Sequence, residues 1–274
     1  MTLLVSWVAV DTHGPSSIYI ASDSQISWSA SVKFDSGRKV FAFSKWPDIL
    51  GYCGDVLFPS IAINQIVELA DAGLLFEPTY SCKQKFQAIV DKLNDLVSAY
   101  PTLHAGLAEN SLSVIHASRD PHDNYKFFCH SISWSAKHRW CGKEVAFPDT
   151  SRVLFALGSG AVEFKQNYDK YEDGPNKGTS RNVYHCFRDT LTHVKDPYVG
   201  GAPQIVAINR KPNSSAITYG VIHEGSRYFL GAKIDNLHSF GNVEWRNENF
   251  ELCDGQTMKK KVDAQPQPDP LRRP

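Results

Sequence analysis

The sequence predicts an α+β protein of four layers, α/β/β/α, in which two antiparallel sheets lie face to face and a helix pair covers each outer face. Three observations predict it. β-rich runs come in consecutive groups rather than alternating singly with helices, which favours antiparallel pairing. Two blocks of helical periodicity, each a pair, separate three groups of strands. No Pro/Gly/Ser-rich stretch is wide enough to divide the chain, so residues 1–253 are expected to form one domain, followed by a disordered tail over 254–274.

The elements follow in order. From Thr2 to Gly54 the runs "TLLVSWVAV", "SIYIAS", "KVFAF" and "ILGYCG" read as strands, separated by turn-forming clusters such as "DTHGPSS". "FPSIAINQIVELADAGLL" and "CKQKFQAIVDKLNDLVSAY" read as the first helix pair. In the second of these, Phe86, Ile89, Val90, Leu93, Leu96 and Val97 recur at three- and four-residue steps and make one apolar face. Strand patterns return in "SLSVIHAS", in "YKFFCHSISWS" (long enough to be split) and in "RVLFALG". The second helix pair is "GAVEFKQNYDKYE" and "SRNVYHCFRDTLTHVKD", the latter with Val183, Phe187, Leu191 and Val194 on one face. "PQIVAINR", "SAITYGVIHE" and "RYFLGAKI" close the sheets, and the Pro- and Lys-rich residues from about Gly255 have almost nothing to bury.

Composition narrows the function classes. The 274 residues are 42% hydrophobic and 12% aromatic, enough for a sizeable core. Lys+Arg 29 balance Asp+Glu 29, so no overall field recruits nucleic acid or an anionic membrane. No apolar run approaches the roughly 20 residues a membrane-spanning helix needs, and no signal-peptide pattern opens the chain, so a cytoplasmic protein is expected. Cys53, Cys82, Cys129, Cys141, Cys186 and Cys253 lack C-x-x-C spacing, which argues against a zinc site or a redox dithiol and for buried, reduced thiols. The histidines show no H-E-x-x-H or i, i+4 pair, and "GSGAVEF" lacks the Lys-Ser/Thr end of a nucleotide loop; no metal or cofactor is expected.

Four stretches of the first half carry a pattern together: "TLLVSW", "ASDSQIS" around Asp23, "GRKVFAF" around Lys39 and "LGYCGD" around Gly54. With "LGSGAVEF" around Ser159 and "DPYVGG" from Asp196, the chain resembles proteasome β-type subunits, members of the N-terminal-nucleophile (Ntn) hydrolases, over about residues 2–232. The resemblance implies a threonine-type peptidase. Its nucleophile would be Thr2, exposed once Met1 is removed; a small second residue is the usual condition for that removal.

The chemistry gives each residue type its reason. A threonine hydroxyl needs a base, and an N-terminal residue carries one on its own α-carbon, with an ordinary pKa of roughly 7.7–8.0. An adjacent ammonium lowers that value, the role implied for Lys39, with Asp23 holding Lys39 charged and oriented. A backbone N–H at Gly54 would face the oxyanion, where a side chain would obstruct approach. Ser159 and Asp196 match residues that orient the threonine amine, Ser27 one that hydrogen-bonds the substrate backbone, and Cys53 lies near the specificity pocket. Taken singly each of these is ordinary: Asp23-Ser24 reads as an Asx turn, Lys39 as a solvated charge, Gly54 as a turn residue.

The chain also departs from the pattern. Val199 stands three residues after Asp196, where active subunits usually have serine, which keeps a catalytically silent structural subunit as the alternative. An Ntn amidase acting on small amides is a third reading. Gln25 stands where many β subunits have arginine and is more similar to the bacterial peptidase that works with an ATP-dependent unfoldase, a partner the sequence itself does not carry. The resemblance further implies a homo-oligomer, ring or otherwise. The residues between Ser118 and Arg152 exceed a minimal subunit and have no functional account.

Overall fold

A computed structural model of the chain describes residues 2–101, 112–135, 139–235 and 239–264. In chain order the strands are β1 (Leu4–Asp11), β2 (Gly14–Ser22), β3 (Ile26–Ser27), β4 (Lys33–Phe34), β5 (Val40–Ala42) and β6 (Asp48–Gly54). Helices α1 (Leu57–Asp71) and α2 (Cys82–Ala99) follow, then β7 (Leu112–Arg119), β8 (Phe127–Ser135), β9 (Arg139–Glu144) and β10 (Arg152–Leu157). Helices α3 (Ala161–Tyr171) and α4 (Ser180–His193) precede β11 (Gln204–Asn209), β12 (Ile217–His223), β13 (Ser226–Phe229), β14 (Ala232–Ile234), β15 (Glu244–Arg246) and β16 (Leu252–Cys253).

The expected four layers form because each inner strand alternates between two apolar neighbourhoods. On β1, β2 and β11, Val5, Trp7, Tyr19, Ala21, Ile205 and Ala207 pack with Phe164, Tyr184 and Phe187 of α3 and α4. The opposite parity, Leu4, Val8, Ile18, Ile20, Val206 and Ile208, meets Ile49, Cys53, Ile115 and Ala117 of the second sheet. That sheet's other face, with Leu50, Tyr52 and Val114, packs on Ile63, Ile66, Ile89 and Leu93 of α1 and α2. A period of two on the strands thus places every other side chain between the sheets and the rest under helices.

The first sheet runs β10-β1-β2-β11-β12-β13-β14 and the second is the meander β5-β6-β7-β8-β9. All pairings are antiparallel except β12 with β15, a parallel contact over Tyr219–Val221. β1 lies inside its sheet, with Leu4 opposite Ser22 of β2 and Leu157 of β10. The helices begin where the sequence provides caps: Ser81 and Gln84 form a reciprocal capping box on α2, and the Thr179 side chain accepts the Asn182 N–H on α4. Among the described residues no helix is long and apolar enough to cross a membrane, and Cys53, Cys82, Cys129, Cys186 and Cys253 are buried free thiols.

Three expectations change. "YKFFCHSISWS" is one strand, and it pairs with β9, so part of the 118–152 stretch widens the second sheet by a hairpin. "RYFLGAKI" is two strands, because Leu230 and Gly231 both take positive φ and reverse the chain. The expectation of disorder does not hold over 255–264. Asp254 caps the turn through the Thr257 N–H and hydroxyl, Cys253 bridges to Lys260, and Met258 packs by Trp245 and Phe240. Residues 265–274 lie outside the described residues.

A buried polar group sits under α2. Lys85, on the apolar face of the helix, pairs with Asp48, which also meets His116 Nε2 at 2.9 Å; all three side chains are fully buried. Burial opposes ionisation of Asp48, but Lys85 and His116 together hold its carboxyl below the ordinary value.

Candidate active site

The site begins where β2 stops. After Ser22 the Ser24 and Gln25 amides both donate to the Gly200 carbonyl, at 3.1 and 2.9 Å, which ends the ladder and turns the Asp23 side chain inward. Gly37 N–H then donates to Ser24 O at 2.8 Å and closes the β3–β4 excursion, so Lys39 returns beside Asp23 after 16 residues. The Lys39 Nζ to Asp23 Oδ1 distance is 2.9 Å, with side-chain exposures of 1% and 0%. This lysine is therefore a core residue, not a solvated charge at a strand start.

The start of β1 joins the same pair. Leu3 N–H donates to Asp23 Oδ1 at 3.1 Å, the oxygen that holds Lys39, and Gly200 N–H donates to Oδ2 at 3.1 Å. Burial pushes the Asp23 carboxyl up, against the pull of the Lys39 ammonium and the Gly200 and Leu3 amides, which makes those donors essential to its ionised form. Thr2 is buried, at 2% exposure. Its carbonyl accepts the Gly160 N–H at 3.2 Å. Gly158 takes φ +88°, and a Cβ there would stand 2.1 Å from Thr2 O and 3.5 Å from Cys53 Cβ, so this position admits glycine alone.

A cleft of ≈1010 Å³ opens beside this arrangement. Gly158 and Ser159 form one part of its wall, Cys53, Gly54 and Asp55 another, and Ile26, Ser27 and Trp28 a third. Gly54 has φ +105°, a conformation that presents backbone where a side chain is disfavoured. Ser27 Oγ accepts Gln25 Nε2 at 2.7 Å, and the same nitrogen donates to Pro197 O at 2.8 Å. Burial pushes the Cys53 thiol up to about 12, so it is a neutral wall group and not a competing nucleophile. Trp28, 71% exposed, stands at the cleft with Leu57 of α1.

Asp23 and Lys39 are thus in direct contact, Thr2 and Cys53 both flank Gly158, and Ser27, Cys53, Gly54 and Ser159 share the cleft. Asp196 lies in the turn that delivers Gly200: its Oδ1 accepts the Tyr198 N–H at 2.9 Å and its carbonyl the Val199 N–H at 3.2 Å. Val199 is buried in the apolar cluster that contains Leu3. Sequence reasoning missed Gln204. Its buried amide donates to Asp23 O and Gly37 O, at 3.0 and 2.7 Å, and accepts the Lys39 N–H at 3.0 Å. The one available signal was a glutamine opening the apolar run "QIVAI".

No protein-family model matches the chain, and no curated protein matches it. Solved structures do. The Anbu of Pseudomonas aeruginosa, solved as a helical assembly, superposes with a TM-score of 0.57 at 14% identity, over 83% of this chain and 86% of that one. A Gly-1 mutant of Anbu from Hyphomicrobium sp. strain MC1 gives 0.54 at 13% identity, covering 80% and 88%. Anbu from Yersinia bercovieri, described as an ancestral β-subunit, gives 0.54 at 11%, covering 78% and 87%. At these identities the likeness is one of fold, and the fold is that of the proteasome-like Ntn hydrolases.

Proposed function

We propose that this chain is a threonine-type Ntn hydrolase that cleaves a peptide bond, with Thr2 as nucleophile once Met1 has been removed. One observation carries the reading: the fully buried Lys39 ammonium and the backbone amide next to Thr2 converge on a single oxygen of Asp23. A charged lysine in the core at the start of β1 serves no packing purpose, but it disfavours a second positive charge at the threonine amine.

In this mechanism the free Thr2 amine takes the proton of its own hydroxyl, directly or through a water, while Oγ1 attacks the substrate carbonyl. The oxyanion accepts the Gly54 N–H. Collapse breaks the C–N bond, the departing amine takes the proton from the Thr2 amine, and an acyl ester remains on Oγ1. Water, deprotonated by the same amine, then releases the acid. Ser159 and Asp196 orient the amine, Ser27 pairs with the substrate backbone, and Cys53 contributes to the specificity wall. The tryptophan and leucine at the cleft favour a polypeptide over a small amide.

The test combines intact mass with capture by an electrophile selective for N-terminal threonine. Loss of Met1, a Thr2 adduct, and peptide turnover abolished in Thr2→Ala are expected; retained Met1 under aminopeptidase-competent expression, or unchanged turnover in Thr2→Ala, refutes the reading. The second reading, a silent structural subunit, is favoured by Val199, which supplies no hydroxyl to the amine; clean labelling of Thr2 excludes it. Profiling on peptide and small-amide libraries separates peptidase from amidase. The helical assembly of the Pseudomonas aeruginosa relative supports self-association here, measurable as the native mass, and an added unfoldase would reveal itself as ATP-dependent turnover of folded substrates.

A further inference from the structure

We infer that Gln204 is a positioning residue of this site: one buried amide sets the spacing between the backbone that carries Asp23 and the backbone that carries Lys39. The inference rests on the reading of those two groups as the pair that tunes the Thr2 amine.

The geometry leaves this side chain no other task. Gln204 is fully buried at the first position of β11, opposite Ser22 of β2, one residue before Asp23. Its two N–H bonds go to different carbonyls, that of Asp23 and that of Gly37, two residues before Lys39. Its oxygen accepts the N–H of Lys39 itself. Two donors and one acceptor are thus spent on three backbone groups flanking the ion pair, in a pocket where water does not compete. Lys39 stands just before the three-residue β5; its carbonyl accepts the Tyr52 N–H of β6 at 3.0 Å, and its own N–H goes to Gln204. The β3–β4 excursion between Asp23 and Lys39 is exposed over residues 30–36. The Gly37 N–H to Ser24 O bond closes the base of that loop, and the Gln204 side chain adds a group that touches the Asp23 and Lys39 backbones together.

The consequence is electrostatic. If Asp23 and Lys39 move apart, the ammonium no longer stands at a fixed place beside the start of β1, and the threonine amine returns toward its ordinary pKa of roughly 7.7–8.0. A role limited to stability would lower the folded fraction and leave that titration where it was.

Gln204→Met keeps the volume and removes all three bonds. The pH profile of Thr2 labelling is expected to move its midpoint upward by about half to one unit, with the plateau rate falling by about 10- to 100-fold. Gln204→Asn keeps the donors one methylene short and is expected to fall between, so the question remains answerable if the Met variant fails to fold. Leu93→Ala, on the buried face of α2 and away from the site, is the control of comparable destabilisation and is expected to leave the midpoint in place. Hydrogen exchange of the Leu3 amide gives a readout independent of catalysis. Leu3 donates to Asp23 and makes no bond with Gln204, so faster exchange there in Gln204→Asn reports a displaced carboxylate. Folded Gln204 variants with the parental midpoint and parental Leu3 exchange overturn the inference. If the parent itself never labels, the hydrolase reading falls, and the Leu3 exchange still decides the positioning role.

Discussion

Gly158→Ala separates the geometry of the chain's start from general stability. The added Cβ would lie 2.1 Å from Thr2 O and 2.9 Å from Thr2 C, whereas real Cβ contacts essentially never fall under 3.0 Å. The obstacle is backbone, so it cannot swing aside, and the Thr2 carbonyl must retreat by roughly 1 Å. A misplacement of that size costs about 100-fold in an oriented reaction. The variant also places alanine at φ +88°, a strain of about 1–2 kcal/mol. Gly73→Ala supplies the control, since Gly73 shares a positive φ of +75° but has open space where its Cβ would stand. The assay is the second-order rate of Thr2 capture by the electrophile, alongside the melting temperature. Both variants should melt lower, and only Gly158→Ala should lose capture by about two orders of magnitude. A folded Gly158→Ala protein that labels within twofold of the parent would refute the placement of Thr2 against this glycine.

Other outcomes follow from the same contacts. Lys39→Met should abolish labelling and, by leaving the Asp23 charge buried without its partner, cost ~3–5 kcal/mol in denaturant titration; Asp23→Asn added to it should recover part of the stability and none of the labelling. Val199→Ser should not raise the labelling rate, because Val199 is packed with Leu3 in the core, and should lower stability by about 1–3 kcal/mol. Trp28→Ala should raise KM severalfold for peptides with large apolar side chains and leave the melting temperature nearly unchanged, as befits an exposed cleft residue. Burial, with His116 beside it, holds His130 down to about 4. The unfolded state, at an ordinary value near 6.5, then binds the proton first, so this group's contribution to stability is full above about pH 6.5 and is lost on acidification toward about pH 4, about 3 kcal/mol that His130→Leu should remove.

The parts of the fold that were legible in the sequence are those written in local periodicity. The apolar faces of α2 and α4 and the β-rich runs of β1, β2 and β11 each depend on neighbours within a few positions. Lys85 shows the limit. A lysine on an amphipathic helix is ordinarily solvated, and only Asp48 and His116, 37 and 31 positions away in opposite directions, make its place on the buried face of α2 intelligible. β9, at the edge of its sheet, and the two- and three-residue β16 and β15 were illegible because strands of this kind are defined by the strand they join. At the site, Asp23, Lys39 and Gly54 could be found through the resemblance, whereas Gln204 could not: a glutamine in an apolar run carries no chemistry until its three backbone partners, 165 to 181 positions away, are known.

The bond from Gly200 to Asp23 closes a loop of 177 residues, and the strand on the far side of β1 is contributed by residues 152–157. Helix pairs such as α1 and α2 can form as soon as they leave the ribosome, but the cradle around Thr2 has to wait for nearly the whole chain. At translation rates of about 5–20 residues per second, that is a delay of roughly 10–40 seconds between the making of Thr2 and the making of its surroundings. The surroundings of Thr2 are therefore complete only once Gly200, at the far end of that loop, has come to rest on Asp23.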